Sequence, residues 1–294
     1  MANLRDIKKR IDSVKSTRQI TRTMEMVSTA KIKRAQERIE SARPYALKMM
    51  EVLGNVARYV QGASHPLLEE HEKHERAVLV LITSDRGLCG GFNANVLRMA
   101  EQFISARRAE GVEVDIVSVG KKALSYLKYR GIEPVASYTD ISDKPTFDAA
   151  QDIASHFVGR YGEEEVDSVH IIFNHFKSVA DQKAELHQLL PIQRRVMDDT
   201  SDALEFKPEY LFEPDPEAVL NRLLPTYVET LIYRALMESA ASEHAARRTA
   251  MKAATDNASE MIVTLTRSYN RARQAAITNE IAEIVGGAAA LEES

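Results

Sequence analysis

The glycines of this 294-residue chain are confined almost entirely to its middle part. None occurs before Gly54 and none between Gly162 and Gly286, whereas ten of the twelve lie between Gly54 and Gly162. Long helices avoid glycine because of its conformational freedom, and turns use it for the same reason. The two glycine-free terminal segments are rich in Ala, Glu, Lys, Arg, Met and Leu, which favour helix. The pattern predicts two long terminal helices with a domain of shorter elements between them.

The first helix, expected over residues 1–58, carries apolar residues at the alternating three-and-four spacing of a coiled-coil seam. The seam positions are Leu4, Ile7, Ile11 and Val14, and then Ile32, Ala35, Ile39 and Ala42. Between these two groups the same phase holds Arg18, Thr21, Glu25 and Ser28, while apolar residues move to Ile20, Met24 and Val27. We therefore expect the helix to change the face that it buries in this stretch. Pro44 is expected to bend the helix or to end its first part, because proline lacks the N–H donor.

The last helix is expected over residues 216–286, followed by a short tip at 287–294. Asp215 is a good N-cap residue, and Pro216 suits the first helical position. One stripe at coiled-coil spacing holds Met237, Ala241, Met251, Ala258, Ile262, Leu265, Tyr269, Ala272 and Ala276, interrupted by His244, Arg248 and Thr255. Four of these nine residues are alanine, so we expect the stripe to pack closely against the first helix. Pro225 is expected to kink the first turns, and at ~1.5 Å per residue the helix would be roughly 100 Å long.

Residues 75–190 change to the pattern of an α/β domain. Strands are expected at Ala77–Thr83, Val112–Val119 and Val166–Phe173, with a possible edge strand at Ala184–Leu190. Helices are expected near Ala94–Arg108, Lys121–Tyr129 and Phe147–Arg160. This alternation of strands and helices predicts a parallel sheet. Residues 191–215, which contain several prolines, would connect the domain to the last helix.

Charge is distributed unevenly along the chain although its formal net charge is only −4. Counting Lys and Arg against Asp and Glu gives an excess of +7 over residues 1–43, −9 over 44–216 and −2 over 217–294. No apolar run is long enough to cross a bilayer, and the first residues lack the pattern of a secretory signal. Cys89 is the only cysteine, which excludes an internal disulfide and fits a reducing compartment. These features predict a chain without a transmembrane segment that stays in the cytoplasm.

The segment SDRGLCGGFN, Ser84 to Asn93, is the most obvious candidate for a ligand site, because a glycine loop between a strand and a helix can hold a phosphate. Its spacing fits neither GxGxxG nor GxxxxGK followed by Ser or Thr, and it contains no lysine. We interpret it as a tight turn with Asp85 and Arg86 exposed for a protein contact. Cys89 has no neighbouring histidine in the sequence to activate it, so we expect a structural thiol.

The histidines do not form a recognisable catalytic or metal-binding motif. His71 and His74 could lie on one helix face, but the Glu and Lys residues around them are more typical of a solvated linker. We expect no catalytic residue, no cofactor and no metal. A small nucleotide-dependent enzyme built on the central domain remains an alternative.

The basic N-terminal helix admits two interpretations. It could bind nucleic acid, but no aromatic residue precedes Tyr45 to stack on bases, no nucleic-acid motif occurs and the chain as a whole is acidic. It could instead turn inside an acidic protein collar. The first interpretation predicts salt-dependent retention of DNA by the chain, and the second does not.

Three separated motifs resemble the gamma subunits of F-type ATP synthases of bacterial type. They are MEMVSTAKIKRAQ (24–36), TSDRGLCGGFNANV (83–96) and YNRARQAAITNEIAEIVGGAAAL (269–291), of which the third is the most specific. With the helix–α/β–helix order, the resemblance covers nearly the whole chain. It implies an α+β or α/β fold, in which the terminal helices form a long antiparallel coiled coil with an inserted Rossmann-like domain. The central stalk of vacuolar-type enzymes also has a long coiled coil, but it lacks this domain.

The resemblance also implies a function and partners. The chain would be the rotor that transmits torque between a membrane c-ring and a hexamer of three alpha and three beta subunits, coupling proton flow to ATP synthesis or hydrolysis. It would be a peripheral subunit at the cytoplasmic face of the bacterial inner membrane, with the epsilon subunit as a further partner. Met24, Arg273, Gln274, Thr278 and Glu280 would contact the hexamer. At the other end, Tyr210 and Glu213 would form the foot that contacts the c-ring and epsilon.

Overall fold

A computed structural model of the chain describes residues 4–59, 65–193, 213 and 215–292. The chain divides into two compact units. The first unit consists of Met1–Ser28 with Arg248–Ser294, and the second of Thr29–Arg247. Among the described residues, no helix has both the length and the apolar content that crossing a membrane requires.

Two long helices occupy the ends of the chain, as the glycine distribution predicts. Helix α1 spans Leu4–Tyr59, and the last helix spans Pro216–Glu292. The Asp215 carboxylate accepts a hydrogen bond of 2.8 Å from the Ala218 N–H, which confirms the predicted N-cap. Both helices continue through their prolines, Pro44 and Pro225. The last helix does not end at residue 286, because the alanine-rich sequence after the glycine pair extends it to Glu292.

In the first unit, the two helical stretches pack as an antiparallel pair. The Thr255 hydroxyl donates to the Thr21 hydroxyl at 2.8 Å, which joins the last part of one stretch to the first part of the other. Buried residues in this unit include Ile7, Ile11, Thr21, Ser28, Met251 and Ala258. The expected change of buried face in α1 is therefore wrong. Thr21 and Ser28 keep the original seam phase, because each hydroxyl donates to a carbonyl of the preceding turn, at 3.0 and 2.7 Å.

The second unit contains a five-stranded sheet. Its strands are β1 Arg76–Ile82, β2 Glu113–Val119, β3 Ala136–Tyr138, β4 Ser168–Phe176 and β5 Gln182–Leu190. The spatial order is β3-β2-β1-β4-β5; the first four strands are parallel, and β5 runs antiparallel to β4 at the edge. The predicted α/β domain is confirmed, whereas the short strand β3 has no counterpart among the predicted strands.

Helices cover both faces of this sheet. They are α2 Phe92–Ala109, α3 Lys121–Tyr129, α4 Phe147–Ser155 and α5 Val158–Gly162, with a 3₁₀ turn at Pro66–Leu68 and α6 as the last helix, Pro216–Glu292. The single helix expected over Phe147–Arg160 is thus two helices. Alternate residues of β1 point to opposite faces: Val78, Val80 and Ile82 join a core with α1, α4 and α6, while Leu79 and Leu81 join a core with α2 and α3. Because both faces are covered, every residue of β1 after Arg76 is apolar and buried.

Candidate functional site

The end of helix α6 forms the most exposed part of the described chain. Every residue from Arg273 to Gly286 is exposed, in contrast to residues 235–245 of the same helix, which are all buried. The four residues predicted to contact a partner there, Arg273, Gln274, Thr278 and Glu280, are all exposed. The helical repeat of 3.6 residues places Arg273 and Glu280 on one face. We call residues 273–286 the exposed segment.

The exposed segment carries charged groups that are available to a partner. Among the residues that the structure describes, neither Arg273 nor Glu280 has an ion-pair partner. A guanidinium and a carboxylate form the strongest hydrogen bonds that side chains offer to a protein surface. Thr278 differs, because its hydroxyl already donates to the Gln274 carbonyl at 2.9 Å. Ile277 and Ile281 lie between these polar groups and are also exposed. The segment therefore presents a mixed polar and apolar surface.

Met24 belongs to a separate surface on helix α1. Its side chain is half-buried, and the helical repeat places it on one face with Ile20 and Val27, which are 60% and 51% exposed. Met24 lies within one turn of Thr21, whose partner Thr255 precedes Arg273 by roughly 27 Å of helix. The structure thus does not bring Met24 together with the exposed segment. The first unit has two distinct candidate contact surfaces.

The loop that follows β1 places Asp85 and Arg86 differently. The Asp85 carboxylate is half-buried and accepts hydrogen bonds from the backbone N–H groups of Lys121 at 3.1 Å and Ser142 at 3.2 Å. Burial alone would raise the pKa of Asp85, but hydrogen bonds from the neighbouring loop outweigh it and lower the pKa below its ordinary value. Asp85 is therefore occupied within the fold, contrary to the expectation that it is exposed. The Arg86 side chain is exposed, as expected.

Leu88, at the tip of the same loop, is an exposed apolar residue that the sequence did not single out. It is 64% exposed and adopts a left-handed backbone with φ of 64°. Such a conformation is uncommon for leucine and is found where the surrounding structure enforces it. Beside it, the buried Cys89 thiol accepts a hydrogen bond from Asn93 at 3.2 Å, and burial raises its pKa. A raised pKa disfavours the nucleophilic thiolate, which agrees with a structural thiol.

A group of polar residues that we call the polar clamp holds this loop and the loop before α4 in place. Its members are Lys31, Asp143, Glu243, His244 and Arg247, all in the second unit. The Lys31 ammonium donates to both oxygens of Asp143 at 2.7 and 2.8 Å, and His244 Nε2 lies 3.0 Å from the same carboxylate. Arg247 pairs with Glu243 at 2.7 Å and also donates to the Gly87 carbonyl at 3.3 Å. The clamp thus ties the loop after β1 to helix α6.

Burial shifts the titration of the clamp residues. It lowers the pKa of His244 to about 4, although the negative charge of Asp143 acts to raise that pKa. Arg247 Nη1 lies 3.4 Å from His244 Nδ1, so a neutral ring with its hydrogen on Nε2 satisfies both contacts. Burial also raises the pKa of Glu243, and Arg247 opposes that shift. The interruption of the apolar seam at His244 was the only sequence signal of this cluster.

The remaining predicted residues fall outside any cluster. Tyr210 lies outside the described residues, and Glu213 is exposed. His71 and His74 do not lie on a helix; the His71 ring stacks on Tyr161 with 4.3 Å between centroids, whereas His74 is exposed. Among the residues that the structure describes, no three His, Cys, Asp or Glu side chains come together as a metal site would require.

Comparison with known proteins gives consistent results over the full length of the chain. The family model described as ATP synthase matches residues 3–291. The ATP synthase gamma chain of Leptospira biflexa is 49% identical over 291 residues, which cover 99% of this chain and all of that one. That of Desulforamulus reducens is 50% identical over 292 residues, with the same coverage. Among solved structures, a similar chain occurs in the central stalk and c-ring of the Tetrahymena thermophila mitochondrial ATP synthase. The two chains have a TM-score of 0.59 and are 28% identical, and the match covers 80% of this chain and 99% of that one.

Proposed function

Because this chain belongs to the ATP synthase gamma chain family, we propose that it is the central rotor of an F-type ATP synthase. It transmits torque between a membrane c-ring and a hexamer of three alpha and three beta subunits, and so couples proton flow to ATP synthesis or hydrolysis. The observation that carries this proposal is the exposed segment of α6. A helix that extends fully exposed, with unpaired charges and apolar residues between them, is suited to contact surrounding subunits.

The chain supplies no catalytic group in this proposal, and ATP chemistry takes place on the hexamer. The loop after β1, which was the strongest sequence candidate for a nucleotide site, supports this assignment. Asp85 is engaged by backbone N–H groups, and the Cys89 thiol has a raised pKa. The Asp85 carboxylate therefore holds this loop to its neighbours, and the Cys89 thiol is poorly suited to act as a nucleophile. The alternative of a nucleotide-dependent enzyme predicts tight stoichiometric binding of ATP, ADP or NAD in equilibrium dialysis of the isolated chain.

The coupling contacts to the hexamer are assigned to the two surfaces of the first unit. Arg273 and Glu280 form charge-assisted hydrogen bonds with loops of the alpha and beta subunits, assisted by Gln274 and Thr278.

Met24 meets an acidic region of a beta subunit through the apolar stripe that it shares with Ile20 and Val27. The basic excess of residues 1–43 fits an acidic partner.

The contacts at the membrane-facing side are assigned to the foot around Tyr210 and Glu213. These residues contact the c-ring and the epsilon subunit. Glu213 is exposed and so is accessible for such a contact. The complex is placed at the cytoplasmic face of the bacterial inner membrane, with this chain as a peripheral subunit. In the loop after β1, Arg86 rather than Asp85 makes the protein contact, because the Asp85 carboxylate is already engaged by the backbone N–H groups of Lys121 and Ser142, whereas the Arg86 side chain is exposed.

Proton-driven ATP synthesis by the enzyme reconstituted in vesicles tests the coupling assignment. The double variant Arg273→Ala, Glu280→Ala should assemble with alpha, beta and epsilon subunits but synthesise ATP at least about tenfold more slowly. The control is Arg271→Ala, Glu260→Ala, which removes the same residue types from exposed positions on the opposite side of the helix. Wild-type synthesis rates in the first variant would refute the assignment of Arg273 and Glu280. Failure of the wild-type chain to co-purify with alpha and beta subunits would refute the rotor function.

A further inference from the structure

The second unit contains a cavity of about 770 Å³ that the rotor function does not use. It lies between helix α1, the first residue of α4, the end of β4 and helix α6. Its volume falls within the range of roughly 300–1,000 Å³ that is usual for sites of small organic ligands. It is distinct from the exposed segment and from the polar clamp.

Aromatic rings form much of the cavity wall. Tyr45, Phe147, Phe176 and Tyr233 all line it, and the rings of Phe147 and Tyr233 meet edge to face with 5.7 Å between centroids. Tyr45 is 56% exposed. Aromatic faces and edges arranged in this way favour a flat apolar body that stacks between them. The walls therefore favour a ligand with an aromatic core.

The charged groups of the cavity favour an anion. Three cations, Arg43, Lys177 and Arg234, line it together with one carboxylate, Glu238. Glu238 is buried, and it is satisfied by Arg234 Nε at 2.8 Å and by His175 Nδ1 at 2.5 Å.

The two remaining cations are free for a ligand. Arg43 is exposed and has no ion-pair partner among the residues that the structure describes. Lys177 makes one solvent-exposed pair with Asp181 at 3.8 Å, and such pairs contribute little. Arg43 and Lys177 can therefore turn to an anionic group at the opening without breaking a buried interaction.

We propose that this cavity binds a small organic anion with an aromatic body, such as an aryl carboxylate or aryl sulfonate. The rings of Tyr45, Phe147 and Tyr233 hold the body. The guanidinium of Arg43 and the ammonium of Lys177 hold the anionic group, the former by paired N–H donors that match two oxygens of a carboxylate or sulfonate. The site goes beyond the rotor function, because it assigns a ligand to a subunit that has otherwise only protein partners.

A pair of probes that differ only in charge tests this proposal on the full-length chain. 8-Anilinonaphthalene-1-sulfonate carries the anion, and N-phenyl-1-naphthylamine has the same rings without it. Fluorescence titration should show one saturable site per chain for the sulfonate and at least about tenfold weaker binding of the neutral probe. Ala46→Phe, which fills the cavity from helix α1, should weaken the sulfonate at least about tenfold.

Two further variants separate the anion contact from general effects. Arg43→Gln should weaken the sulfonate roughly fivefold and leave the neutral probe unchanged, whereas Arg38→Gln, an exposed arginine of the same helix outside the cavity, should change neither. The double variant Ile277→Ser, Ile281→Ser removes exposed apolar residues from the exposed segment, outside the cavity. It should leave the saturable binding of the sulfonate intact.

Three results would overturn the proposal. They are equal affinity for the two probes, sulfonate binding that survives Ala46→Phe in a folded chain, and loss of the saturable site in the Ile277→Ser, Ile281→Ser variant. Circular dichroism establishes whether Ala46→Phe is folded. Should it not fold, Arg43→Gln decides the question alone, because its exposed position tolerates the change and unchanged sulfonate affinity would contradict the assigned contact.

Discussion

Two segments of helix α6 have opposite surroundings. Residues 235–245, which we call the buried segment, are all buried, and six of them are alanine or serine. Residues 273–286 are all exposed and include isoleucine, valine, arginine and glutamate. Close packing favours small side chains at these six positions, because larger ones there would force neighbouring elements apart. In the exposed segment, no part of the chain that the structure describes covers the side chains, so we infer that contacts with partner proteins select their identity.

The largest difference between the two segments is expected in the free energy of unfolding, when the same apolar volume is removed from each. Leu236→Ala removes a side chain that is 2% exposed and belongs to the core with the sheet. It should lower the free energy of unfolding by about 3–4 kcal/mol. Ile281→Ala, at a position that is 57% exposed, should change it by less than about 0.5 kcal/mol. Chemical denaturation of both variants measures the difference, and similar losses would show that the exposed segment is packed in the free chain.

The second contrast concerns charge. Arg247, which follows the buried segment, pairs with the buried Glu243, whereas Arg273 pairs with no described residue. Arg247→Ala leaves the Glu243 carboxylate buried without its partner and should cost about 3 kcal/mol. Arg273→Ala should cost less than about 0.5 kcal/mol in the isolated chain.

The Arg247→Ala loss should also depend on pH. Burial already raises the pKa of Glu243, and removal of Arg247 raises it further. A buried carboxyl with a raised pKa costs the folded state least free energy when it is protonated. The free energy of unfolding lost in Arg247→Ala should therefore be smaller at pH 5 than at pH 8. A loss that does not vary with pH would mean that Glu243 is not the group left unpaired.

The third contrast is a pH dependence that the buried segment contributes through His244. Burial lowers the pKa of His244 to about 4, so between that value and the ordinary 6.5 the unfolded chain binds a proton that the folded chain does not. Stability should therefore fall as the pH is lowered from 7 to 5, by about 2 kcal/mol from His244 alone. Lys31, Asp143 and Arg247 face this ring. Burial opposes the shift, but the hydrogen bonds from Lys31 lower the pKa of Asp143, so this carboxylate stays charged over that range.

The variant His244→Gln isolates this contribution. It should remove about 2 kcal/mol of the loss between pH 7 and pH 5, measured by denaturation at each pH. His170, whose pKa burial also lowers to about 4, should account for a further part that the variant retains. Superimposable pH profiles of the variant and the wild type would show that His244 does not titrate in this way.

The sequence predicted the elements far better than the contacts between them. Glycine position and apolar periodicity located α1, α6 and the buried strands, because these signals are local. The change of buried face near Thr21 was predicted wrongly. A hydroxyl that bonds to its own helix can fill a seam position, and periodicity counted on apolar residues alone does not detect it.

The site was predictable only where it is exposed and local. Arg273 and Glu280 are exposed as expected, and Arg86 is too. The polar clamp could not be derived, because Lys31, Asp143 and His244 are separated by about a hundred residues each and meet only in the folded unit. Asp85 was misplaced for the same reason: its hydrogen-bond partners come from loops that follow other strands.

The smallest effect is expected at the end of the exposed segment. Ending the chain after Glu283 removes Ile284 and Val285, which are exposed, together with the residues that follow. The free energy of unfolding should change by less than about 0.5 kcal/mol, because the removed side chains that the structure describes, Ile284 and Val285, are exposed. ATP synthesis by the reconstituted enzyme should fall less than in the Arg273→Ala, Glu280→Ala variant, because Ile284 to Leu291 carry no charge and supply a smooth bearing surface rather than directional bonds. The full-length variant Ile284→Ser, Val285→Ser separates loss of apolar surface from loss of length, and a truncated enzyme as impaired as the double variant would place the coupling contacts beyond Glu283.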